Sequence, residues 1–240
     1  MNMTPLFLAS TGFKFIDWQK LWAILLKYWD KFLIEGVKYT LLISAITVFF
    51  GAILAAALAL MKMSKILPLR WLSAIYVEVI RGTPMLLQLY FFYFGLPMLI
   101  PALNKQKLLC ICIALICNSA AYVSEVIRSG IQAVDPGQTE AALSLGFNKK
   151  QTMWYIVLPQ AVKNILPALG NEFIMIVKDT SLASTFFVGE LMTQYLLVKG
   201  TTMLPIEPLV IVGVVYFILT FVLSKVFGKL ERRMSRSDRA

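Results

Sequence analysis

The stretch from Asp135 to Ala161, DPGQTEAALSLGFNKKQTMWYIVLPQA, is a polar insert between segments apolar enough to sit in a membrane. Asp135 is placed to cap a helix with Pro136 at its first position, and Glu140, Ala141, Ala142 and Leu143 continue it. Gly146 fits the left-handed position that ends a helix, where a Cβ would clash. Asn148 then caps a second helix, with Gln151 three residues on as in a capping box. The insert therefore reads as helix, glycine turn, helix, with a rigid and knob-like end.

The surroundings of this knob are a membrane protein's. The chain has 240 residues, is 59% hydrophobic and carries only 15% charged residues, with a mean hydropathy of +0.75. Apolar runs of about 20 residues call for spanning helices, not a soluble domain or a barrel. The net charge of +10 does not indicate nucleic acid, because the basic residues lie in tails and loops beside apolar spans. Histidine is absent, which excludes imidazole catalysis and a histidine metal site. Cys110, Cys112 and Cys117 share one apolar span with no second ligand cluster, so they read as buried apolar side chains. The opening MNMTPLFLAS lacks the basic region and long apolar core of a signal peptide.

Working outward, residues 13–36 read as an amphipathic interfacial helix. Trp18, Leu21, Trp22, Leu25, Trp29 and Phe32 form its apolar face, and Asp17, Lys20, Lys27, Asp30 and Lys31 lie largely opposite. Membrane spans are expected at about 39–61, 71–103, 108–130, 163–185 and 207–224. The 71–103 span carries Glu78 and Arg81, then Gly82-Thr83-Pro84. Its Glu78, Arg81, Met85 and Gln88 fall on one helical face. In the third span Asn118, Tyr122, Glu125 and Ser129 recur as a stripe, and Arg128 can reach Glu125. The fourth is expected to be broken by Pro167 and Gly170, and residues 186–206 to form an external segment with a short helix. Lys62, Lys65 and Arg70 mark the first loop as cytoplasmic, and the tail at 225–240 is strongly basic. With an odd number of spans this puts the N-terminus outside. Lys14, Lys20, Lys27, Lys31 and Lys38 run against that rule, though an interfacial helix weakens it.

The 135–161 knob resembles the EAA loop of ABC importer permeases: Glu140-Ala141-Ala142, three residues, Gly146, nine residues, Ile156, then Leu158-Pro159. YVEVIRGTPMLLQLYFFYFGLP, AAYVSEVIRSGIQAV and NEFIMIVKDTSL extend the resemblance to nearly the whole chain, toward the polar amino acid permeases of type I importers. The resemblance implies a single all-α transmembrane domain over 1–240 with five membrane helices, in the cytoplasmic (inner) membrane of a bacterium. It implies pairing with a second permease, identical or related, and two ATP-binding subunits that hold ATP and Mg. It also implies an extracytoplasmic amino-acid-binding protein. Glu140, Ala141, Ala142, Gly146, Leu158 and Pro159 would couple to the ATPase. The chain has no GxxxxGK[ST] phosphate loop, so it cannot hydrolyse ATP by that means and is not expected to be the ATPase, and no cofactor is expected in this chain.

Ionisable residues within a bilayer are functional candidates. Glu172 and Asp179 are seven residues apart and so face the same way. Either acid can take an amino acid's ammonium group or a cationic side chain, and Lys178 or Arg81 its carboxylate. Thr180, Ser181, Thr83 and Gln88 add polar groups to this candidate site. The Glu78–Arg81 and Glu125–Arg128 pairs are left open between local ion pairs and site residues. An ion-gradient-driven secondary carrier is the competing function, but such carriers show two repeated halves, and no internal repeat is present here.

Overall fold

A computed structural model describes residues 16–236, and every regular element in it is helical. Asp17 caps α1 (Trp18–Trp29) by accepting from the Gln19 and Lys20 amides at 3.1 and 3.3 Å. A π-helical turn, Asp30–Gly36, joins α1 to α2 (Val37–Met63) with no intervening loop. The expected interfacial helix, whose first residues lie outside those described, thus runs straight into the first span, kinked at Tyr28 (φ −122°, ψ 21°). Its single apolar face also divides. Leu21, Ile24 and Phe32 are buried against two later helices, α10 (Leu191–Thr202) and α11 (Ile206–Arg236), whereas Trp18, Trp22 and Trp29 point outward.

The second span is not one helix. α3 (Leu67–Arg81) ends at Gly82, where a Cβ would lie 2.8 Å from the Glu78 carbonyl, and α4 (Met85–Tyr90) restarts after Pro84. A π turn, Phe91–Gly95, leads into α5 (Leu96–Leu99) and a 3₁₀ turn, Pro101–Lys105. α6 (Lys107–Gln132) packs along α2 through small residues: Ala55 and Ala120 are fully buried, and a Cβ on Gly51 would lie 3.0 Å from Ser119 Oγ.

The knob, α7 (Pro136–Ser144) and α8 (Lys149–Thr152), follows. A π turn, Met153–Val157, carries α8 into α9 (Leu158–Asp179). Contrary to expectation, α9 is unbroken at Pro167 and Gly170. Pro167 removes only the amide that would serve the Lys163 carbonyl, a loss that packed neighbours tolerate. The bare Gly170 is filled by Phe227 of α11, whose ring carbon would lie 2.9 Å from an added Cβ. A 3₁₀ strap, Thr180–Phe186, leads to α10 (Leu191–Thr202), the expected short helix, which is wedged against the π turn 30–36 and α11. α11 (Ile206–Arg236) continues beyond the fifth expected span, so the basic tail is helical as far as it is described.

Trp18–Met63, Lys107–Gln132 and Ile206–Arg232 are long and apolar enough to cross a membrane, and Met85–Leu99 is a shorter apolar run.

The α6–α9 crossing depends on Gly130, where an added Cβ would overlap the Ile165 side chain. Gly130→Val should lower the thermal stability of the detergent-purified protein by about 1–3 kcal/mol, the usual range for overpacking. Adding Ile165→Ala should recover part of that loss in the same melting measurement.

Candidate functional site

The knob is built by local hydrogen bonds. Asp135 accepts from the Gly137 amide at 2.8 Å, and Pro136 sits in the first turn. At the far end Gly146 adopts φ +89°; its amide donates to Leu143 O at 3.0 Å and the Phe147 amide to Ala142 O at 3.1 Å. That pair of bonds is the Schellman termination, which a left-handed residue permits. The capping box is complete, with Gln151 N to Asn148 Oδ1 and Asn148 N to Gln151 Oε1 both at 2.9 Å. Ala142 is buried, whereas Glu140, Ala141 and Pro159 are exposed. Leu145 (79%), Trp154 (60%) and Tyr155 (70%) stand out from the knob as exposed apolar side chains. On an otherwise polar segment such a group is a candidate contact surface.

From Lys149 to Asp179 the backbone is helical without interruption, so α8, the second half of the knob, runs through the π turn into α9. Glu172 and Asp179 lie on one face of it, about 10 Å apart along the axis at 1.5 Å per residue. Both are half-buried, and among the described residues neither carboxylate accepts a hydrogen bond or forms an ion pair. Lys178 is exposed, Ser181 is half-buried, and buried Thr180 donates to the Val177 carbonyl at 2.8 Å. A cleft of about 120 Å³ between α9 and α11, lined in part by Pro167, Asn171 and Glu231, does not include the two acids.

The remaining candidates gather at the break in the second span. Gln88 is buried; its Nε2 lies 2.7 Å from Ile80 O and 2.8 Å from Thr83 Oγ1, and its Oε1 accepts from Asn118 at 2.9 Å. Thr83 Oγ1 also donates to Val79 O at 2.9 Å. The polar groups of Gln88 and Thr83 are thus engaged within the chain. Arg81 makes no ion pair with Glu78; its guanidinium lies 5.3 Å from the Tyr122 ring centre. Glu125 does pair with Arg128, at 2.8 Å, and also with Lys62 at the end of α2. The stripe on α6 therefore meets three different partners: Asn118 meets Gln88, Tyr122 meets Arg81, and Glu125 meets Lys62.

Sequence reasoning missed Glu190. It is fully buried at the start of α10 and accepts from the Met192 amide (2.7 Å), the Thr193 amide (2.6 Å), Thr193 Oγ1 (2.8 Å) and Tyr216 OH (3.0 Å). Burial pushes its carboxyl above the ordinary range, and these donors pull it back. The available signal was an acid directly before a short helix, the N-cap position. Among the described residues no cluster of metal-binding side chains occurs.

Residues 48–236 match the family described as the binding-protein-dependent transport system inner membrane component. The arginine transport system permease protein ArtQ of Bacillus subtilis (strain 168) is 39% identical over 207 residues, covering 86% of this chain and 94% of that protein. The probable glutamine ABC transporter permease protein GlnM of the same organism is 39% identical over 203 residues, covering 85% and 93%. The crystal structure of an amino acid ABC transporter with histidines superposes with a TM-score of 0.82 at 42% identity, covering 91% of this chain and 99% of that one. The chain belongs to the binding-protein-dependent inner membrane transport components. Within them it is a permease of the amino acid ABC importers, and an ion-gradient-driven carrier is not favoured.

The geometry separates two consequences of changing Gly146. No atom lies within 4 Å of an added Cβ, so strain comes from φ alone, about 1 kcal/mol. Gly146→Leu should therefore insert and melt nearly as wild type, yet lose substrate-driven ATP hydrolysis when mixed with its ATPase. Replacing the exposed Glu140 should be milder. Wild-type hydrolysis by Gly146→Leu in that assay would remove the knob from coupling.

Proposed function

We propose that this chain is the membrane path of a bacterial amino acid importer and is driven through its knob by a separate ATPase. It crosses the cytoplasmic membrane five times, with the N-terminus outside and the knob and basic tail in the cytoplasm. The path forms with a second permease, identical or related. Two ATP-binding subunits, which hold ATP and Mg, dock on Leu145, Trp154 and Tyr155 around the EAA loop. An extracytoplasmic binding protein delivers the amino acid from the other side.

One observation carries this reading. The second half of the knob and the two carboxylates belong to one uninterrupted run of helix, Lys149–Asp179. A displacement imposed on the knob is transmitted to Glu172 and Asp179 directly, because a helix does not absorb it the way a loop would. Half-buried carboxylates without a partner are costly in an apolar setting unless they line a wet path or meet a cation. We place the substrate's ammonium at Asp179, its carboxylate at Lys178 or Arg81, and a cationic or polar side chain toward Glu172. Thr180 and Ser181 stand beside Asp179, and Thr83 and Gln88 shape the facing wall at the helix break. Two acids favour a cationic or dipolar amino acid over an anionic one. The transport of arginine and glutamine ascribed to the relatives accords with that.

Asp179→Asn and Glu172→Gln keep shape and remove charge. Each should leave assembly with the ATPase intact and lower the uptake of radiolabelled arginine into proteoliposomes by tenfold or more, roughly the loss of one charge-assisted contact. Unchanged uptake by both variants would make the acids structural.

A further inference from the structure

The segment Met85–Leu99 is held at its two ends by different chemistry. At its start the chain breaks at Gly82-Thr83-Pro84. Pro84 has no amide hydrogen, so the Ile80 carbonyl four residues earlier loses its helical donor. Gln88 replaces it, with Nε2 at 2.7 Å, while Asn118 of α6 holds the other end of the same side chain. The break is thus satisfied without the two helix pieces being continuous, which is the make-up of a hinge.

At the other end the rings of the segment close on the strap. Phe186 lies 4.4 Å from the Tyr93 ring centre and 5.0 Å from that of Tyr90. Lys107 Nζ, 4.6 Å above Tyr93, covers the same ring. Phe186 is the last residue of the 3₁₀ strap, and the first, Thr180, directly follows Asp179. One end of the strap is therefore the candidate substrate acid and the other is an aromatic clamp. Behind them, Leu89 of the segment and Ala183 of the strap share one core with Ile43 of α2 and Ile111 of α6. The outer side of the segment is unpacked: Phe91, Met98 and Leu99 are exposed, and nothing lies within 4 Å of an added Cβ on Gly95. A π turn, a backbone feature frequent at functional sites, carries the clamp's Tyr93.

We propose that Phe186 is the latch of an outer gate. Met85–Leu99 swings about the Gly82–Pro84 break, Phe186 parts from Tyr90 and Tyr93, and the strap then opens the way to Asp179 from the side opposite the knob. Phe186 touches no substrate in this scheme; it is a positioning residue that acts through the strap. The proposal rests on the transport reading given above.

The test joins the two leaves. Tyr93→Cys and Phe186→Cys are introduced in a chain whose Cys110, Cys112 and Cys117 are replaced by Ala, and the full complex is reconstituted with its ATPase and binding protein. A short thiol-bridging reagent that reductant cleaves should abolish uptake of radiolabelled arginine and glutamine, and reductant should restore the rate of the unbridged double-cysteine complex. Fully bridged complex that transports at the unbridged rate would overturn the latch. Absence of uptake by the wild-type complex would instead count against the transport reading. A second measurement needs no cross-link. Phe186→Ala should raise ATP hydrolysis in the absence of binding protein and lower uptake per ATP, and Phe186→Tyr should keep wild-type coupling. A wild-type coupling ratio in Phe186→Ala would also overturn the latch.

Discussion

Close approach of backbones is the constraint on which this fold depends. In a lipid environment helices gain little by hiding apolar surface from one another, so association rests on packing at short range. The α2–α6 seam meets that demand with Gly51, Ala55, Ser119 and Ala120. The same device is used twice more, at Gly130 where α9 crosses α6 and at Gly170 where Phe227 of α11 fills the space. Each of these glycines admits a specific neighbour, so α9 is fixed between α6 and α11 along most of its length. That placement is what the proposed coupling through the helix from Lys149 to Asp179 relies on.

How much of this was legible in the sequence follows from the range of the forces involved. The knob was read residue by residue because caps, boxes and left-handed turns are set within five or six positions; Asp135, Gly146, Asn148 and Gln151 all do what their types predict. The faces of the 18–36 segment were not, because Trp18 and Phe32 are both large and apolar, and only the arrival of α10 and α11 decides which is buried. Pro167 and Gly170 signalled a break that tertiary packing overrode, whereas Gly82 and Pro84 gave a break that an added long-range strut, Gln88 to Asn118, made tolerable. Glu190 was legible as an N-cap residue before α10, but its complete burial was not. One of its four donors, Tyr216, comes from a helix that follows it at a distance.

The candidate site was legible only in part. Periodicity placed Glu172 and Asp179 on one face, and among the described residues neither carboxylate accepts a hydrogen bond or makes a close ion pair, Lys178 acting on Asp179 only through space. It could not show that Arg81 turns to Tyr122 and away from Glu78, nor that Lys62 joins Glu125 and Arg128. That triad ties the end of α2 to the last turns of α6, just before the knob. The knob's orientation is thereby set by charge pairing on one side and by the Gly130 crossing on the other.

The central claim is that this chain moves an amino acid only when a separate ATPase drives the knob. The direct measurement is uptake of radiolabelled amino acid into proteoliposomes holding the chain and its binding protein, with and without the ATPase subunit. Uptake should require both the ATPase and ATP, and should be indifferent to imposed proton or sodium gradients. Gradient-driven uptake by the chain without the ATPase would contradict it.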